Sequence, residues 1–142
     1  MMFTIIFPVL NERLRLENGV TRTVEYLQSI AFEDYEIIIV DNGSEDETPQ
    51  IAEKLCKKYD KVRYERINVR GVGAAFRRGV EVSHGDVVGY MDIDLSTNIR
   101  HLGEAIHLFE TQPEIQYING SRFARESDRS EEHTSELQSP VS

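Results

Sequence analysis

Two aspartates two residues apart, Asp92 and Asp94, stand in the run Met91-Asp92-Ile93-Asp94-Leu95-Ser96, where an apolar segment gives way to polar residues. Carboxylates spaced this way can reach one hard divalent cation, and Mg²⁺ or Mn²⁺ suits such oxygen ligands. An isolated Asp-x-Asp is more often a solvated turn, so it is the position at a strand end that makes this pair a candidate metal site. Two other polar runs follow apolar segments in the same way: Pro8-Val9-Leu10-Asn11-Glu12 and Asp41-Asn42-Gly43-Ser44-Glu45-Asp46. A fourth run, from Arg70-Gly71-Val72-Gly73 to Phe76 and Gly79, has Phe76 where a dinucleotide fingerprint needs its third glycine, and no Gly-Lys-Ser/Thr follows. A nicotinamide cofactor is therefore disfavoured. Gly71 and Gly73 permit a close backbone approach at a helix start, either to a ligand phosphate or, more commonly, for helix–sheet packing.

The elements that must position these groups are legible from periodicity. Strand-length apolar runs occupy residues 3–7, 36–40, 62–67, 86–91 and 115–119, and the second is apolar without alternation, as in a strand buried on both faces. Between them lie stripes at helical spacing: Val20, Val24, Leu27 and Ala31; Ile51, Ala52, Leu55, Cys56 and Tyr59; Val72, Ala75, Phe76 and Val80; Leu102, Ala105, Ile106 and Phe109. Thr48 before Pro49 fits an N-cap and first-turn pair. The alternation predicts an α/β fold, a mostly parallel sheet covered by helices on both faces, with ligands beyond the carboxyl ends of the strands.

Composition narrows the function classes. The chain has 142 residues, room for one domain. Its net charge of −9 repels a phosphate backbone, so nucleic acid is not an expected partner. A single cysteine, Cys56, excludes an internal disulfide or multi-thiolate metal site and falls on an apolar stripe as a small core residue. No apolar run approaches the ~18 residues that would span a bilayer, and the N-terminus lacks the pattern of a signal peptide. His84, His101 and His107 form no cluster and receive no role. The oligomeric state is left open.

Five motifs in order, from residue 3 to residue 123, resemble the family 2 glycosyltransferases, whose catalytic domain has the Rossmann-like GT-A fold. They are residues 8–12, residues 40–48, the glycine-rich helix start, the Gly85-Asp86 that opens the strand leading to Asp92-Ile93-Asp94, and Gly120-Ser121-Arg122. Asp-Leu-Ser after the metal motif and Gly-Ser-Arg after the next strand look most like enzymes that charge a polyprenyl or dolichyl phosphate with a sugar. The resemblance implies an inverting transfer from a UDP- or GDP-linked sugar to a lipid phosphate at a membrane surface, cytoplasmic in location and serving glycan assembly at the cell envelope. Pro8, Leu10 and Glu12 would line the nucleoside pocket, with Val40, Asp41 and Asn42 at the base edge. Asp92, Ile93, Asp94 and Ser96 would meet the ribose and diphosphate, the two aspartates through Mg²⁺ or Mn²⁺. Arg122 would lie beside the diphosphate or acceptor phosphate, and Asp92, Asp94 and Arg122 are the expected catalytic set.

Asn42 departs from the family's usual Asp-Asp-Gly-Ser, putting a neutral acceptor where an acid usually meets the base. The residues that serve hydroxyl acceptors in the family would lie beyond Arg122, so a transferase acting on a saccharide hydroxyl remains open for the parent protein, and the truncated chain itself is expected to bind nucleotide without turnover. Sugar-1-phosphate nucleotidyltransfer would need a glycine-rich loop after the first strand, and residues 8–12 contain no glycine. A phosphoacceptor receiver would carry its acids after strands one and three, whereas here they follow strands two and four. The expected organisation is a donor-binding domain over residues 1–124, the first part of a larger catalytic domain truncated at its C-terminus, and a disordered tail over 125–142. Residues 129–139 look like the translation of a DNA-sequencing adapter, so 129–142 are expected to be foreign to the natural chain.

Overall fold

Seven consecutive residues, Tyr35–Asp41, are buried, and they form the second strand of a five-stranded sheet in a computed structural model that describes residues 1–95, 99–114 and 123–125. The elements are β1 (Phe3–Val9), α1 (Leu16–Ser29), β2 (Tyr35–Asp41), α2 (Thr48–Lys58), β3 (Val62–Arg66), α3 (Val72–Val82), β4 (Val87–Tyr90), α4 (Arg100–Thr111) and β5 (Phe123–Arg125). The sheet order is β3-β2-β1-β4-β5. Strands β1 to β4 pair in parallel and β5 runs antiparallel to β4. The α/β fold with a mostly parallel sheet is therefore the one expected. The predicted strand at 115–119 lies outside the described residues.

Period-two alternation assigns the helices to faces. Phe3, Ile5, Phe7 and Val9 of β1 pack with buried residues of α1, α2 and α4, while Ile6 of β1, with Ile38 and Val40 of β2, packs against Ala75 and Phe76 of α3. Gly79 makes the latter contact possible, because a Cβ there would fall 2.5 Å from the Ile6 side chain. Three details correct the expected elements. Helix α1 ends at Ser29, and Ala31, with φ +56°, is an exposed residue of the left-handed turn that stops it. Val72 is on the first turn of α3 but is exposed and is not part of the buried stripe, which begins at Ala75. Thr48 does not cap α2: it is the first residue of the helix, after Glu47, and its hydroxyl accepts an N–H from another loop, that of Glu12, at 2.8 Å.

A buried polar cluster fixes the amino end of the sheet. Glu36, 5% exposed, accepts from the Thr4 hydroxyl at 2.7 Å, Arg63 Nη2 at 2.8 Å and the His84 N–H at 2.5 Å. Burial alone would raise the Glu36 carboxyl, but these bonds and the Arg63 charge outweigh it and hold the group below the usual glutamate range. A lowered folded pKa gives stability that is present above the unfolded pKa and lost as pH falls through the folded one. Glu36→Gln should therefore lose about 1–3 kcal/mol at neutral pH. In urea titrations the gap from wild type should close as the pH is taken below 4.5, the unperturbed glutamate value.

Candidate functional site

The sheet splits at its carboxyl edge between its central strand, β1, and the neighbouring β4. Pairing of β1 with β2 continues to Val9 opposite Asp41, whereas pairing of β1 with β4 stops at Ile6 opposite Tyr90. The last bond on that side runs from the Met91 N–H to the Ile6 carbonyl, 3.0 Å. Pro8, two residues on, faces the same side, and having no N–H it ends the ladder without leaving a donor unpaired. The strand order reverses here as well, with β2 and β3 on one side of β1 and β4 on the other. A crevice outside the carboxyl ends at such a reversal is where parallel sheets bind ligands. Partly buried Pro8 stands near the end of β1, Leu10 and Glu12 follow that strand, and Asp92 and Asp94 follow β4.

The loop after β2 is built on Asp41, whose side chain is 0% exposed. Its Oδ1 accepts the N–H groups of Gly43 and Ser44 at 3.0 and 2.8 Å, and Oδ2 accepts from the Tyr64 hydroxyl at 2.6 Å and Arg66 Nη1 at 3.3 Å. The loop so folded holds the one after β1. Ser44 Oγ accepts the Asn11 N–H at 2.8 Å, Thr48 Oγ1 the Glu12 N–H at 2.8 Å, and Asp46 Oδ2 the Arg13 N–H at 3.2 Å. Asn11 Oδ1 answers with bonds from the Glu45 and Asp46 N–H groups, at 2.8 and 3.4 Å. Asn11 itself sits at φ +53°, a conformation asparagine tolerates better than most residues.

After β4 the chain alternates inward and outward. Met91 and Ile93 are buried while Asp92 and Asp94 are exposed, and a turn closes with the Leu95 N–H on the Asp92 carbonyl at 2.9 Å, Leu95 taking φ +55°. Ile93 is seated on α1 at Gly19, where a Cβ would collide with the Ile93 carbonyl and side chain. This contact sets the height of both aspartates above the sheet. Their neighbour across the split is Glu12. Its carboxyl is raised by burial and by the charges of Asp94 and Asp46 against the lowering effect of Arg15. Among the described residues no group of three or more His, Cys, Asp or Glu side chains could hold a metal. An exposed pair of carboxylates without a full protein cage suits Mg²⁺ or Mn²⁺, which take one or two carboxylates and complete their shell with substrate phosphates and water.

The expected site residues thus fall into groups. Pro8, Leu10, Glu12, Asp92 and Asp94 border the split. The side chains of Val40 and Ile93 are in the core, which leaves only their main chain for a ligand, and the Asp41 carboxylate is turned inward to loop donors instead of outward to a base. A carboxylate this buried needs every donor it has. Asn42 donates from Nδ2 to the carbonyls of Val69 and Gly71. Ser96 and Arg122 lie outside the described residues. Sequence reasoning missed Gly19, Tyr64 and Arg66. Gly19 carried a signal, a glycine inside an amphipathic helix, which usually marks a close approach; the other two carried none.

Gly19→Ala should cost about 1–3 kcal/mol in chemical denaturation and shift the amide resonances of Asp92, Ile93 and Asp94 more than those of the distant β3. Burial and the bond to Asp41 push the Tyr64 phenol up to about 12. Its stabilisation is therefore whole below pH 10, the unperturbed value, and lost as pH rises through about 12. Tyr64→Phe should lose about 1–3 kcal/mol at pH 7, a deficit that thermal melts will show narrowing above pH 10.

Comparison with known proteins agrees with this arrangement. The profile of glycosyl transferase family 2 matches residues 4–140. The chain is 37% identical over 122 residues to Glycosyltransferase AglD of Haloferax volcanii, an alignment covering 84% of this chain and 19% of that protein. It is 35% identical over 130 residues to dolichyl-phosphate beta-glucosyltransferase of Mus musculus, covering 84% and 40%. It therefore spans well under half the length of these relatives. In fold it matches mannosyltransferase PcManGT of Pyrobaculum calidifontis, solved in complex with GDP-Man and Mn²⁺, with a TM-score of 0.63 at 23% identity over 73% of this chain and 31% of that one. With the parallel sheet, its split and the motifs around it, the chain belongs to glycosyl transferase family 2.

Proposed function

We propose that this chain is the donor-binding part of an inverting glycosyltransferase that moves a sugar from a UDP- or GDP-linked donor to a polyprenyl or dolichyl phosphate at the cytoplasmic face of a membrane. The observation that carries the reading is the split between β1 and β4, which gathers Pro8, Leu10 and Glu12 on one lip and Asp92 and Asp94 on the other. Two relatives are named as lipid-phosphate sugar transferases, the dolichyl-phosphate beta-glucosyltransferase above and a dolichol-phosphate mannosyltransferase of Pyrococcus furiosus. Among the described residues no helix is long and apolar enough to cross a membrane.

In this reading Pro8, Leu10 and Glu12 hold the nucleoside, with the main chain at Val40 and the side chain of Asn42 near the base; Asp41 acts indirectly, by shaping the loop. Asp92 and Asp94 hold Mg²⁺ or Mn²⁺, with the main chain of Ile93 and Ser96 alongside. When bound, the cation supplies Lewis-acid neutralisation of the diphosphate as it becomes a leaving group. An oxygen of the acceptor phosphate forms its bond to the anomeric carbon from the side opposite the breaking carbon–oxygen bond. The electron pair of that bond leaves with the nucleoside diphosphate. The acceptor is already an anion at neutral pH, so no general base is required of the chain. Arg122 is assigned to the phosphates of donor or acceptor, as a fixed planar charge.

Calorimetric titration of UDP and GDP, with and without Mn²⁺, tests the donor site. Mn²⁺ should tighten one nucleotide's binding to the wild type, and Asp94→Ala should remove about tenfold or more of that affinity, about 1.4 kcal/mol. If saturating Mn²⁺ gives the wild type no more binding than Asp94→Ala, the metal role is wrong.

A further inference from the structure

Asn42 does something that the usual acid at its position cannot do. It is 5% exposed, and its Nδ2 donates to the Val69 carbonyl at 2.7 Å and the Gly71 carbonyl at 3.1 Å. Carbonyl oxygens can be met only by donors, so the partners themselves dictate that the amide nitrogen faces them. Its own N–H meanwhile donates to the Val9 carbonyl at 2.9 Å, so one residue joins the ends of β1 and β2 to the loop between β3 and α3. Ile67 packs the start of that loop on the core, but further on Val69 is 59% exposed, as is Val72 at the start of α3, 52%, so residues 69–71 have little apolar burial to hold them. Gly71, at φ +114°, passes its carbonyl on to the Ala75 N–H at 3.2 Å, the bond that opens α3.

We propose that Asn42 is a positioning residue whose amide clamps residues 69–71, and with them the start of α3, at the rim of the donor crevice. An aspartate here would set an ionised carboxylate against two carbonyl oxygens, a repulsive contact in place of two hydrogen bonds. Anchored by its nitrogen, the side chain has only Oδ1, a neutral acceptor, to offer a nucleobase. The significance for base recognition rests on the donor-site reading above; the clamp itself does not.

Backbone amide exchange of residues 75–78, the first amides of α3 with helical acceptors, followed by mass spectrometry without nucleotide and corrected for intrinsic rates, tests the clamp in the full 142-residue chain. At pH 8 Asn42→Asp should exchange about tenfold faster than wild type and faster than Asn42→Ala, which loses the bonds without adding repulsion. At pH 5 Asn42→Asp alone should regain protection, because a carboxyl crowded by two carbonyls protonates readily and can then donate one bond. Wild-type protection in Asn42→Asp, or identical behaviour of the Asp and Ala variants at both pH values, overturns the proposal. Should Asn42→Asp not fold, Asn42→Ser decides the matter: its hydroxyl should keep part of the protection that alanine loses, and equal exchange in the two refutes the clamp. Wild-type nucleotide titration run in parallel separates the two ideas, since failure to bind UDP or GDP defeats the donor-site reading while the exchange result still judges the clamp.

Discussion

A carboxylate with no exposure at the end of a central strand is the constraint on which the carboxyl edge of this protein depends. Asp41 must be met by donors, and the donors available are two backbone N–H groups of its own loop and two side chains of the neighbouring β3. Satisfying them folds the loop after β2 into one shape. That shape presents Ser44, Asp46 and Thr48 to the backbone after β1, which otherwise has no ladder to join beyond Val9. The loop after β3 is tied to the same place through Asn42. Three loops are thereby cross-linked by side-chain-to-backbone bonds, so that a ligand bound there would meet walls already ordered and would pay less for ordering them.

The other lip is organised differently. Asp92 and Asp94 are exposed on a tight turn and owe their position to the buried residues between and before them, above all to Ile93 seated on Gly19. One side of the crevice is thus held by polar bonds and the other by packing. Two like charges, Glu12 and Asp94, face each other across it, and the Glu12 carboxyl is raised first by burial, with Asp94 and Asp46 adding to the rise against the lowering effect of Arg15. Left-handed residues, Asn11 and Leu95, occur in the loops on both sides. Each costs about 1 kcal/mol and persists because neighbouring bonds hold the turn.

What could be read from residue types alone was what repeats or stands at a boundary. The four helical stripes and the first four strands follow from apolar periodicity, and the uninterrupted apolar run of β2 announced a strand buried on both faces. The acids at the ends of β2 and β4 were legible as site candidates because they stand at the carboxyl ends of parallel strands, where such sheets bind ligands. Less legible was which acid faces outward. Asp41 and Asp92 look alike in sequence, yet one is sealed under Tyr64 and Arg66 and the other is exposed, a difference made by residues 23 and 25 positions further on in β3.

The sequence by itself therefore determined the class of fold, the order of its elements and the family, since these rest on local periodicity and on short motifs whose order survives without contacts. Tertiary structure alone decided that the sheet opens at Pro8, that Val40 and Ile93 turn away from the crevice, that Asp41 builds the site from behind, and that Asn42 donates to another loop. Each of these depends on a partner distant in the chain. Burial and hydrogen bonding are properties of pairs, and no single residue carries them until the strands have met.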